Sequence, residues 1–153
     1  MYLSKTQILE LIPHREPFRF IDEILEIDNE HVVGVYTFKE DEYFYKGHFP
    51  TKPVTPGVIV TEAMAQIGLV TLGIYLLADS KEELDPNDII PVFTSSNVDF
   101  LSPIYPGEKL VVKATKVYFR FGKLKAKIIA TNESKVQICK GEFSGMFVSQ
   151  KNI

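Results

Sequence analysis

The chain has 153 residues, of which 45% are hydrophobic and 24% charged, enough apolar material for one sizeable core and too little charge for a disordered chain. Its 17 basic and 20 acidic residues give a net charge of −3, which excludes a general nucleic-acid binder. The lone cysteine, Cys139, excludes an intrachain disulfide, and the opening MYLSKTQILELI has no basic n-region followed by an apolar h-region. Together these features favour a reducing, cytoplasmic setting and a single domain over 1–153.

Residues 5–12 read as a short helix, with Ser4 as N-cap and Pro13 as its stop. Residues 18–27 and 31–38 are rich in β-branched and aromatic side chains. Asp28-Asn29-Glu30 between them supplies turn chemistry, so an antiparallel hairpin is expected. Residues 40–56 hold Gly47, Pro50, Pro53 and Pro56 and read as an ordered loop.

From Gly57 to Ala78 runs the longest apolar stretch, GVIVTEAMAQIGLVTLGIYLLA. As a helix it would reach roughly 30 Å, enough to cross a bilayer. Glu62 and Gln66, one turn apart on one face, argue instead for a buried central helix with no membrane span. Its small residues Ala63, Ala65, Gly68 and Gly73 would let a sheet wrap closely around it.

Residues 79–88 form a polar loop containing Pro86, and four strand-like segments follow at 89–101, 108–121, 123–131 and 135–148. The third alternates Leu124, Ala126 and Ile128 with Lys123, Lys125 and Lys127. Turns are expected at Phe121-Gly122 and at Asn132-Glu133-Ser134; the latter matches a glycosylation sequon but reads better as a hairpin turn. The apolar phase changes between Ile138 and Phe143, which suggests a β-bulge. One antiparallel sheet of about six strands on one long helix makes this an α+β domain.

Two side chains stand out as candidates for chemistry. His48 lies in Gly-His-Phe-Pro, where the neighbours fix the backbone. Glu62 is the one charge in a buried helix, so it must be paired or shifted in pKa. Loop and helix turn could fold the two together as a base and an acid, beside a helix N-terminus at Gly57 and Val58 that can polarise an oxygen. His14, in a Pro-His-Arg turn, and His31, at a strand start, read as structural or exposed. One histidine and one carboxylate are too few ligands for a metal. Cys139 falls in an ordinary strand pattern, and no phosphate-binding glycine loop is present. Lys113, Lys116, Arg120, Lys123, Lys125 and Lys127 make a basic run without an acid, a solvated sheet face or a docking face for an acidic partner.

Three segments, LIPHREPFRFIDEI (11–24), GHFPTKPVTPGVIVTEAMAQIG (47–68) and FLSPIYPGEKL (100–110), carry a resemblance along nearly the whole chain. It resembles the β-hydroxyacyl-[acyl-carrier-protein] dehydratases of the hotdog-fold superfamily. The resemblance implies a hotdog domain, His48 and Glu62 as the catalytic pair, and no metal or organic cofactor. It also implies a homodimer whose sheets join edge to edge, further assembled into a trimer of dimers in many members. Each site there takes its histidine and glutamate from different subunits. In that scheme His48 removes a C2 proton, the Gly57 N–H holds the enolate oxygen, and Glu62 helps protonate the departing 3-hydroxyl. Gly57 and Val58 are then the expected substrate-binding positions.

The chain departs from the family where a basic pair commonly follows the third-strand phenylalanine; here Leu101-Ser102 precede Pro103. That leaves the basic run at 113–127 as a substitute face for the carrier protein, or points to a specialised pathway such as polyene or polyketide synthesis with its own carrier. Two rival readings stay open: a hotdog thioesterase that activates water with the helix carboxylate, and a non-catalytic acyl-binding subunit.

Overall fold

The computed structural model describes residues 2–80 and 85–153. Helix α1 (Lys5–Leu11) opens with a reciprocal capping box: the Ser4 hydroxyl accepts from the Gln7 N–H, and the Ser4 N–H donates to the Gln7 side chain. Strands β1 (Glu23–Ile27) and β2 (His31–Thr37) form the expected hairpin. The Asp28 carboxylate closes its turn by accepting from the N–H groups of Glu30 and His31, both at 2.8 Å.

β1 begins five residues later than the pattern at 18–27 suggests. The reason lies in the core: the Gln66 side chain bonds the backbone at Phe18 and Phe20 and so takes the place of a strand partner. The loop at 40–56 contains a single 3₁₀ turn, Tyr43–Lys46, anchored where the hydroxyls of Tyr45 and Thr55 meet at 2.6 Å.

Helix α2 runs for 23 residues, Gly57–Asp79, interrupted by a π-helical turn at Gln66–Val70. By length and composition it could span a bilayer, but it is largely buried under the sheet, as a core helix is. Four more strands follow: β3 (Ile89–Phe100), β4 (Lys109–Arg120), β5 (Lys123–Thr131) and β6 (Gln137–Ser149). Of the polar loop expected at 79–88, residues 81–84 lie outside the described residues.

All the pairings are antiparallel, and the sheet order is β1-β2-β4-β5-β6-β3. The middle of α2 touches β2, β4, β5 and β6, so the sheet wraps the helix. Gly68 makes this approach possible, since a Cβ there would come within 2.5 Å of Ile128 Cδ1 and 3.1 Å of Ala114 Cβ. The β4–β5 turn takes positive φ at both Phe121 (52°) and Gly122 (74°), the geometry that suits the twist of a tight hairpin. In β6 the register slips between Ala130↔Cys139 and Thr131↔Gln137, leaving Ile138 as the extra residue of a bulge. Ile138 and Cys139 are consequently both buried, which explains the phase change in the sequence.

Candidate active site

His48 is held by its loop through two bonds to one residue. Its backbone carbonyl accepts from the Val54 N–H at 3.0 Å, and its ring Nδ1 lies 2.9 Å from the Val54 carbonyl. A carbonyl can only accept, so Nδ1 carries the hydrogen of that bond. In the neutral ring this leaves Nε2 as a bare acceptor. The Phe49 ring stacks on the imidazole, with centroids 4.2 Å apart, and limits its rotation.

Glu62 is one turn into α2, with its side chain 21% exposed. The Gln66 amide donates to its carboxylate at 2.8 Å, as their spacing on one helix face suggests. The same amide donates to the Phe18 carbonyl at 3.1 Å and accepts from the Phe20 N–H at 2.7 Å. One fully buried glutamine therefore ties the segment after Pro17 to the helix. That tether brings His14 over the carboxylate, Nε2 to Oε2 3.7 Å.

Burial pushes the Glu62 pKa up, and the Gln66 bond only partly offsets this. Burial, followed by the charges of Arg19 and Arg15, pushes the His14 pKa down. Both shifts favour neutral forms, a carboxyl that keeps its proton longer beside an uncharged imidazole. The His14 Nδ1 is buried with no hydrogen-bond partner among the described residues. The two side chains line a cavity of about 50 Å³ with Ala65, Leu69, Phe93 and Phe147.

Sequence reasoning set His14 aside as a turn residue. The available signal was Gln66: a buried amide must find partners, and those partners fix where the residues near Pro17 lie. Among the described residues, no hydrogen bond or ion pair joins His48 to Glu62 within one chain. Nor do the partners of Glu62 include a lysine or arginine, the bland explanation for a buried acid.

Gly57 is the first residue of α2, so its N–H has no acceptor within the helix. It borders a second hollow of about 390 Å³ with Val54, Thr55, Val60, Phe100 and Leu101. The Phe100 ring packs on Gly57, where a Cβ would meet it at 3.1 Å. Val58 points elsewhere: it is 76% exposed in the single chain, and Val60 lines the hollow instead. Among the described residues no group of three or more His, Cys, Asp or Glu side chains could hold a metal ion.

Residues 12–140 match the FabA-like domain family. The chain is 38% identical over 138 residues to the 3-hydroxyacyl-[acyl-carrier-protein] dehydratase FabZ of Caldicellulosiruptor bescii, covering 89% of this chain and 92% of that one. It is 35% identical over 131 residues to the FabZ of Petrotoga mobilis, covering 85% and 88%. Among solved structures it is similar to the dehydratase heterocomplex ApeI:P of Xenorhabdus doucetiae, with a TM-score of 0.74 at 14% identity, covering 99% and 95% of the two chains. The thioesterase HI1161 of Haemophilus influenzae shares the fold at a TM-score of 0.67 and 14% identity, covering 98% and 94%. At such identity these two likenesses concern the fold alone, whereas the family match and the full-length relatives reach further: the chain belongs to the FabA-like family of hotdog-fold proteins.

Proposed function

We propose that this chain, as one catalytic domain, dehydrates 3-hydroxyacyl thioesters on an acyl carrier protein to trans-2-enoyl thioesters, a hydro-lyase step of fatty-acid or related synthesis. The observation that carries the reading is Glu62, a half-buried carboxyl raised in pKa beside a neutral imidazole, with no lysine or arginine among its partners in the described residues. Such a group can hold a proton and give it up to a leaving hydroxyl. His48 supplies the opposite capacity, since its Nδ1 bond to Val54 leaves Nε2 to accept the C2 proton. The C2–H bond breaks and its electron pair forms the C2=C3 double bond. The C3–O bond breaks as Glu62 protonates the hydroxyl, and water leaves. Charge developing on the thioester oxygen is met by the Gly57 N–H at the start of α2.

Since the two side chains do not meet within one chain, we take the working unit as a homodimer in which His48 of one subunit faces Glu62 of the other. The twelve-residue edge strand β3, which pairs only with β6, supplies the edge for such a union. Further assembly into a trimer of dimers is compatible with this arrangement. For the carrier, the basic run is less continuous than it reads. Lys116 pairs with Glu30 and Lys125 with Glu142, while Lys125 and Lys127 lie on the sheet face turned away from the helix. Charge reversal at Lys123 and Lys125 that left turnover of carrier-linked substrate unchanged, relative to the coenzyme A form, would remove that face from docking.

Incubating the purified protein with trans-2-enoyl and 3-hydroxyacyl thioesters tests the reading. Interconversion of the two without release of free thiol is expected. Thiol release instead would identify a thioesterase, and no turnover by the purified chain would identify a non-catalytic subunit.

A further inference from the structure

Resting on the dehydratase reading, we infer that Leu69 and Phe147 stop the acyl channel just beyond Glu62, which limits this enzyme to short 3-hydroxyacyl thioesters. If Glu62 protonates the 3-hydroxyl, C3 must lie at its carboxyl. The carbons that follow then enter the cavity that Glu62 lines. On α2 the cavity wall runs from Glu62 past Ala65, which is small enough to leave room, to Leu69 and Val70. Both of these residues belong to the π turn at Gln66–Val70 and, seven and eight positions after Glu62, lie on the helix face that carries the carboxylate.

Leu69 leans on the sheet: a Cβ at Gly145 would lie 3.4 Å from its Cδ1. One turn further along the helix, Gly73 leaves a gap, but the Phe147 ring fills it. A Cβ at Gly73 would fall 1.9 Å from Phe147 Cζ. Leu69 and Phe147 are 3% and 2% exposed, so both walls belong to the interior of this chain and a subunit joined at β3 would not displace them. Crowding a longer tail against packed side chains costs binding in the transition state, where one misfitting methylene changes kcat/KM by about 10-fold to 200-fold.

The test is kcat/KM for hydration of straight-chain trans-2-enoyl coenzyme A thioesters from crotonyl to dodecenoyl, measured on the wild-type protein, Leu69→Ala, Leu69→Val and Phe147→Leu. The wild type should favour crotonyl over dodecenoyl by at least about tenfold, and the Leu69 and Phe147 variants should shrink that ratio by about tenfold. Leu69→Val removes one methylene and keeps the comparison available should Leu69→Ala fail to fold. A wild-type profile flat within about threefold, or variants that all keep the wild-type ratio, would overturn the length limit and leave dehydration standing. Inactivity of the wild type toward every member would overturn the dehydratase reading, and this inference with it.

Discussion

The loop that carries His48 and the helix turn that carries Glu62 position their side chains by different means. His48 is fixed by main-chain groups, with the Val54 carbonyl and N–H pairing to its ring and carbonyl. Glu62 is fixed by another side chain, the buried Gln66, while His14 from a distant segment lies 3.7 Å away. A backbone anchor survives substitution of the residue that provides it. A side-chain anchor does not, and losing it also leaves buried polar groups unpaired. The same contrast sets the electrostatics, because burial in a side-chain cluster moves the Glu62 and His14 pKa values in opposite directions.

Removing the reactive groups themselves gives the largest effect. His48→Ala should lower enoyl-thioester hydration by about 10²-fold to 10⁴-fold with an unchanged thermal midpoint, and Glu62→Gln should lower it by a similar factor. Mixing the two inactive proteins sharpens the comparison. If each site takes its base and acid from different subunits, mixed dimers contain one intact site and activity returns. If activity stays absent while mixed dimers are shown to form, the cross-subunit arrangement is wrong.

The next effect separates the two kinds of anchor. Gln66→Leu strips partners from the Phe18 carbonyl, the Phe20 N–H and the Glu62 carboxylate, and should destabilise the fold by about 1–3 kcal/mol or more. It should also lower kcat, on the order of tenfold, through misplacement of Glu62. Val54→Ala keeps the carbonyl that holds His48 and should leave kcat within about threefold of wild type. Equal losses in both variants would break the distinction.

The smallest effect is on the pH dependence of stability. A carboxyl whose folded pKa is raised stabilises the folded state below its ordinary value of 4.5, and that contribution is lost as pH rises through the folded value. The wild type should therefore lose thermal stability relative to Glu62→Gln as pH rises above 4.5. A histidine with a lowered folded pKa acts on the other side: its contribution is present above 6.5 and is lost as pH falls through the folded value. His14→Asn should accordingly lose less stability on acidification than the wild type does. Melting curves recorded over this range check both signs, and parallel curves for all three proteins would contradict the shifts.

Much of this molecule could be read from local pattern. The capping box at Ser4, the hairpin turns at Asp28 and Phe121-Gly122, the long helix from Gly57 and the Glu62–Gln66 pair all depend on residues within a few positions of one another. The bulge in β6 was legible as well, because a change of face leaves a mark in the alternation. The π turn left no such mark. It adds one residue to a helix that is apolar on nearly all sides, so no stripe is seen to shift.

The sequence by itself therefore determined the elements, their order, and which acid lies in the core helix, since period and turn chemistry act over short spans. Only the tertiary structure decided that His14 reaches Glu62, that Val58 turns outward while Val60 lines the hollow, and that Phe147 occupies the space at Gly73. Those facts rest on contacts between segments far apart in the chain. Close packing fixes such contacts through the shape and polar satisfaction of the whole interior, which no short window of residues contains.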